Sequence, residues 1–220
     1  KTGKLHITEI NNYGDDLSKD EQKEFIGIIN DSIVHLNKMV NDILDFTKLD
    51  ADNKIEKSML DITSTIERAL VGLKVLADET HIKISFVKQN DIPPVLINEE
   101  AIERVMNNLV TNAIKYSSDN SKIEVKIELT EDKNHVKVSV KDEGIGIEPD
   151  CLDRVFDRFY RTENTTHTIK GTGLGLHLVQ VAIEKQHKGK VFVESELNKG
   201  STFGFIIPLT DKTSDIVQNV

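Results

Sequence analysis

Residues 170–180 read KGTGLGLHLVQ: three glycines on alternate positions, Gly171, Gly173 and Gly175, run directly into an apolar segment with helical period. Their spacing is G-x-G-x-G. It is neither the G-x-G-x-x-G of a dinucleotide-binding turn nor the G-x-x-x-x-G-K-[ST] of a P-loop. Glycine permits positive φ and close backbone approach, and a helix start presents free N–H groups and the positive end of its dipole to an anion. Two readings fit the stretch by itself: a phosphate-holding loop, or a tight connection into a helix. The rest of the chain has to choose between them.

The 220 residues suffice for one large domain, or for a medium domain with a helical appendage. A formal net charge of −9 argues against a nucleic-acid partner. Cys151 is the single cysteine, which excludes an internal disulfide. With no signal segment evident, a reducing, cytoplasmic setting is expected. No apolar run approaches the roughly 20 residues that span a bilayer. Because the chain starts at Lys1, a fragment is expected, with any membrane or sensor region lying upstream.

Upstream of the glycine loop the sequence divides into two periods. In residues 20–49 the apolar positions Ile26, Ile29, Ile33, Leu36, Val40 and Ile43 are spaced 3, 4, 3, 4 and 3, a heptad seam widened by Phe25, Ile28, Met39 and Leu44. Such a helix needs others packed against it, from the same chain or from another copy. Ile7, Ile10, Tyr13 and Leu17 give a weaker stripe before it, and Ser18 with Glu21 is a capping-box signature for the long helix. A helix of about 30 residues spans about 45 Å, whereas 17 residues reach only about 25 Å, so the first arm of this hairpin is expected to be truncated.

From residue 55 the pattern predicts a strand at 58–62, a helix at 63–79, a strand at 82–87, a strand ending near Asn98 and a helix at 99–116. SKIEVKIELT and HVKVSVKDE alternate with period two and form a hairpin, as do GKVFVES and GSTFGFIIPL near the end. Between the hairpins come a short helix, a polar loop and the helix of the opening stretch. Helices on one face of a mixed, mostly antiparallel sheet make a two-layer α/β sandwich, so the class is α+β.

Two further clusters bear on chemistry. Asn107, Asn108 and Asn112 spend three of six helical positions on a middling helix former, and Asn108 and Asn112 share a face with Lys115 and Tyr116 a turn on. They are either exposed residues on a polar face or amide-oxygen ligands for a hard cation such as Mg²⁺, with Lys115 as a point charge for phosphate. DEGIGI, residues 142–147, ends a strand. It is either a plain strand-to-helix turn or a pocket floor, in which Asp142 accepts a hydrogen bond and glycines admit a flat ligand. A carboxylate there favours adenine, whose amino group donates, over guanine, whose carbonyl repels it.

N-x-x-x-N, D-x-G-x-G-I and G-x-G-x-G-L, in this order, resemble the catalytic core of sensor histidine kinases of the GHKL ATP-binding superfamily, over residues 24–209. NNLVTNAIKYS resembles the N box, DEGIGI the G1 box, VFDRFYR the F box, GTGLGL the G2 box and GSTFGF the last glycine box. EFIGIINDSIVHLNKMVNDILDFTKLD resembles the second helix of the dimerisation hairpin. The resemblance implies residues 1–54 as that hairpin, half of a dimeric four-helix bundle, and 55–220 as a Bergerat-type ATP domain.

By resemblance, Asn112, with Asn108 beside it, holds Mg²⁺. Lys115 meets phosphate, Tyr116 lines the nucleotide, and Asp142 binds the adenine amino group in a pocket shaped by Gly144, Gly146 and Ile147. Residues 161–170 form a mobile ATP lid anchored by Phe156 and Phe159. Tyr160, Arg161, Lys170, Gly171, Thr172, Gly173, Leu174, Gly175 and Leu176 surround the triphosphate, and Thr202 lines the far side of the base. The implied partners are a second copy and a response-regulator receiver domain, with attachment to a membrane only through segments outside this sequence.

One departure matters. The family's acceptor box, similar to S-H-E-L-R-T-P, is missing. Aligning ITEINNYGDDL places the acceptor at or just upstream of Lys1. His6 is the nearest candidate, where the family's proline would stand, and His35 is a further one. ATP-hydrolysing relatives, gyrase-like or chaperone, carry a glutamate four residues before the metal asparagine; here that position is Asn108.

Overall fold

The structure, a computed structural model, describes residues 18–50, 55–161 and 172–209. The first arm of the expected hairpin, with His6, lies outside these residues, as do Lys170, Gly171 and the side chain of His35.

Helix α1 (Lys19–Asp50) starts at the capping box. The Ser18 amide donates to Glu21 Oε2 at 2.8 Å and the Glu21 amide to Ser18 Oγ at 3.3 Å, which satisfies donors that have no partner inside the helix. Ser18 also holds the Glu21 carboxyl below its ordinary pKa. Along the seam, Ile26, Ile33, Leu36 and Val40 are 47–60% exposed, an apolar stripe left facing solvent.

The second region is a two-layer sandwich. Strand β1 (Ser58–Leu60) pairs antiparallel with β3 (Val95–Ile97). The main sheet runs β2 (Lys83–Lys88), β4 (Lys122–Leu129), β5 (His135–Asp142), β7 (Gly200–Pro208), β6 (Lys190–Glu196). β2 and β4 are parallel and the other pairs antiparallel, so the expected mixed, mostly antiparallel sheet and both hairpins are present. On one face Ile123, Val125, Ile127, Val136, Val138, Val140, Phe205 and Ile207 are fully buried. They pack under α2 (Ile62–Asp78), α3 (Glu99–Tyr116) and α4 (Gly175–Gln180), which supply Ile66, Leu70, Met106, Leu109 and Val179. Each such side chain contributes about 1.5–3 kcal/mol relative to exposure. The alternate positions, Lys126, Lys137 and Lys141 among them, face away, as period-two strands require.

The element bounds shift where caps intervene. The first strand stops at Leu60 because Asp61 caps α2, its Oδ1 accepting from the Thr63 amide at 2.9 Å, so Ile62 is helical. The short helix before the lid is a 3₁₀ turn (Pro149–Arg154) opened by Pro149. Past Gln180, α4 widens into a π turn (Val181–Gln186). Among the described residues no helix is long and apolar enough to cross a membrane.

Candidate functional site

Helix α3 is amphipathic by spacing alone. Ile102, Val105, Met106, Leu109, Val110 and Ala113 go into the core. Asn108, Thr111, Asn112, Lys115 and Tyr116 then fall on a face that forms one wall of an open pocket. Asn98 caps the helix, its Oδ1 accepting from the Ala101 amide at 2.9 Å. The two asparagines differ in freedom. Asn108 Nδ2 donates to the Arg104 carbonyl at 3.1 Å, and its Oδ1 abuts the first residue of α4, so a Cβ added at Gly175 would stand 2.8 Å away. Among the described residues no hydrogen bond engages the Asn112 amide. Lys115 Nζ lies 4.8 Å from the centre of the Tyr116 ring. Burial pushes the Tyr116 phenol up, against the pull of Arg161.

Strand β5 delivers Asp142 to the pocket floor, where it is only 4% exposed. Its Oδ1 accepts from the Gly144 amide at 2.8 Å and from the Ser201 amide at 3.1 Å. Burial raises the carboxyl above its ordinary pKa, and those two bonds offset part of the rise. The turn after it demands glycine at Gly146, whose φ is +67° and where a Cβ would run into the Glu196 carbonyl. A hydroxyl pair ties this turn to the last hairpin. The Ile147 amide donates to Ser195 Oγ at 2.9 Å, and Ser195 Oγ meets Ser201 Oγ at 2.8 Å.

The two ends of the segment at 162–171 are pinned together. The Phe159 amide donates to the Gly173 carbonyl at 3.0 Å, and a Cβ on Gly173, whose φ is +72°, would stand 2.8 Å from the Phe159 carbonyl carbon. Tyr160, Arg161, Thr172, Gly173, Gly175 and Leu176 line the pocket. Arg154 stacks on Tyr160 with its guanidinium 4.4 Å from the ring centre.

The fold therefore gathers Asn108, Asn112, Lys115, Tyr116, Asp142, Gly146, Ile147, Tyr160, Arg161, Thr172, Gly173, Gly175 and Leu176 around one pocket. Four of the expected residues are not among those that line the pocket. Thr202 does not line the pocket. It pairs with Lys141 and Glu194 inside the sheet, and period-two alternation sends its neighbours Ser201 and Phe203 to the pocket instead. Phe159 is 67% exposed at a positive φ of 61°. Phe156, the other expected anchor, lies edge-on to Phe203 with ring centroids 6.2 Å apart. Leu174 is core, 4% exposed. At Gly144 an added Cβ would stand 2.8 Å from Asp142 Oδ1.

Sequence reasoning missed Thr111, Ile145, Val155, Ser201 and Phe203. Thr111 was within reach, three residues from Asn108 on the same helical face. Among the described residues no group of three or more His, Cys, Asp or Glu is placed to hold a metal.

The model of the family described as "Histidine kinase-, DNA gyrase B-, and HSP90-like ATPase" matches residues 97–211. Drug sensory protein A of Synechocystis sp. is 33% identical over 210 residues, covering 92% of this chain and 32% of that protein. The chain spans about a third of the length of the curated relatives it matches. Full-length ShkA in complex with AMPPNP superposes with a TM-score of 0.73 at 26% identity, over 88% of this chain and 40% of that one. ThkA in complex with the response regulator protein TrrA gives 0.73 at 25% identity, over 95% and 59%.

Proposed function

We propose, for a chain that belongs to the histidine kinase-, DNA gyrase B- and HSP90-like ATPase family and whose relatives are sensor histidine kinases, that it binds MgATP in this pocket and passes the γ-phosphoryl to a histidine. The observation that carries the reading is the pairing of an uncommitted Asn112 amide with a buried Asp142 carboxylate across one glycine-edged pocket. Asp142 reads the base, Tyr116 and Ile147 flank it, and Lys115 and the backbone at Gly173 and Gly175 meet the phosphates. The donor set fits magnesium, which accepts one or two protein oxygens when phosphate and water supply the rest. Asn112 offers such an oxygen, with Asn108 next to it. When bound, the ion neutralises developing charge on the phosphates. Lys115 and the α4 start add positive potential, and catalysis is chiefly positioning.

A GHKL-type ATPase is the second reading. Asn108 disfavours it, since an amide is no base for water and this one already bonds Arg104 and abuts Gly175. Residues 1–54 form the dimerisation hairpin and 55–220 the ATP domain. The exposed seam of α1 closes a four-helix bundle with a second copy, and a receiver domain takes the phosphoryl onto an aspartate. The chain works in the cytoplasm, as the inner part of a longer sensor. Leu36→Asp is expected to shift sedimentation toward monomer; parent and variant both running as monomers at high concentration would sink the bundle.

The 220-residue chain is expected to bind ATP without labelling itself. In-line transfer needs an imidazole at the γ-phosphorus, and misplacement costs orders of magnitude in effective molarity. By the alignment of ITEINNYGDDL, His6 lies about five residues from the position expected for the acceptor. Incubation with γ-labelled ATP should give no acid-labile phosphoprotein, and a chain extended upstream by about 15 residues should give one. Labelling that disappears in His6→Gln would make His6 the acceptor.

A further inference from the structure

His187 is 4% exposed, outside the pocket, and has both ring nitrogens engaged. Nδ1 lies 2.7 Å from the Ala182 carbonyl and Nε2 3.0 Å from the Asn98 amide nitrogen. A carbonyl only accepts and an amide N–H only donates, so the ring is the neutral tautomer with its proton on Nδ1. Burial, with Lys57 nearby, disfavours the charged form against the Ala182 bond.

The residue it grips is the cap of α3, and Asn98 has every polar group in use. Its Oδ1 caps Ala101, its carbonyl accepts from the Ile102 amide at 3.1 Å, its Nδ2 donates to the Glu56 carbonyl at 2.8 Å, and its amide goes to His187. The node thus joins the segment before β1, the start of α3 and the end of the π turn that follows α4.

The two helices also meet at the pocket, where Asn108 Oδ1 abuts Gly175. From Asn98 to Asn108 is ten residues of α3, about 15 Å, and from Gly175 to His187 is twelve, a comparable span because six of them lie in the π turn with its smaller rise. The antiparallel pair is therefore bonded at its far end, through Asn98 and His187, and closely apposed at the site, where only a glycine fits beside Asn108 Oδ1. A single contact leaves two packed helices free to slide or pivot; two set their register.

We propose that His187 is a positioning residue for the nucleotide site. Through Asn98 it fixes the register of the helix bearing Asn108, Asn112 and Lys115 against the helix opened by Gly175. The inference rests on MgATP being the ligand of this pocket. Replacing the ring by Phe leaves the Asn98 amide buried without an acceptor, whereas Gln restores an acceptor on a shorter reach.

Calorimetric MgATP affinity of the 220-residue chain tests this, beside Leu73→Ala on α2 as a core truncation remote from the node. His187→Phe is expected to lose about tenfold in affinity. His187→Gln should recover most of it, and Leu73→Ala should keep the parent affinity at an equal or larger loss of Tm. His187→Phe within twofold of the parent, or Leu73→Ala losing as much, overturns the assignment. If His187→Phe fails to fold, amide exchange in the parent decides. Coupling is reciprocal, so MgATP must slow exchange at Asn98 if the node positions the site, and an unchanged rate refutes it. A parent chain that fails to bind MgATP overturns the functional reading itself, and this inference with it.

Discussion

Asn112→Ala is expected to remove the magnesium-dependent part of ATP affinity, a loss of about a hundredfold, while the fold stays as it was. The two halves of that expectation have separate causes. The Asn112 side chain points into the pocket and makes no hydrogen bond among the described residues, so its removal orphans nothing. Alanine is also the better helix former, and the stability change should stay within about 0.5 kcal/mol. The affinity change is large because an amide oxygen on a cation is a charge-assisted contact. Asn108 has its Nδ2 committed to the Arg104 carbonyl. Calorimetry with and without magnesium, alongside far-UV circular dichroism, separates the effects. Unaltered MgATP binding in the variant would remove Asn112 from the metal.

Asp142→Asn is expected to erase the preference for ATP over GTP, a change of tenfold or more, with a milder loss of ATP affinity. Oδ1 of Asp142 is spent on the Gly144 and Ser201 amides, and an asparagine oxygen can keep both bonds. Among the described residues nothing engages the second carboxylate oxygen. In the variant that position becomes an amide N–H₂, which cannot accept from adenine's amino group but can donate to guanine's carbonyl.

The pH dependence of this residue has a defined sign. Burial raises its pKa above the usual carboxylate value, so the folded protein binds this proton more tightly than the unfolded chain does. The group's contribution to stability of the ligand-free protein is therefore full in acid and lost as pH rises through the raised pKa. ATP affinity runs the other way: it needs the ionised form and falls as pH drops through the same raised pKa. In Asp142→Asn both slopes should flatten. A parent and a variant with parallel affinity profiles, or with equal ATP-to-GTP ratios, would take Asp142 off the base.

Much of the domain was legible because its signals are local. Helix α3 came out at the predicted bounds, since Asn98 offers a cap, the apolar residues keep a 3.6 period and Ser117 leaves the helix in an extended conformation. The Ser18–Glu21 box predicted the start of α1, and clean alternation predicted both hairpins. Pocket residues carried by such elements followed with them, as Asn108, Asn112 and Lys115 did from one helical face.

The sequence by itself determined the periods, the caps, the glycine turns and thereby which faces had to be buried, because each of these is decided within a few residues along the chain. The tertiary structure alone decided which strands pair and in what register: β2 lies parallel to β4, and β7 threads between β5 and β6 with Lys141 opposite Thr202. That register turns Ser201 rather than Thr202 toward Asp142, leaves the Phe159 ring outside, and brings His187 across 89 residues of sequence to the cap at Asn98. Such contacts join positions whose separation in sequence is set by loop closure and sheet packing, and a one-residue change in register would exchange every side chain between the two faces.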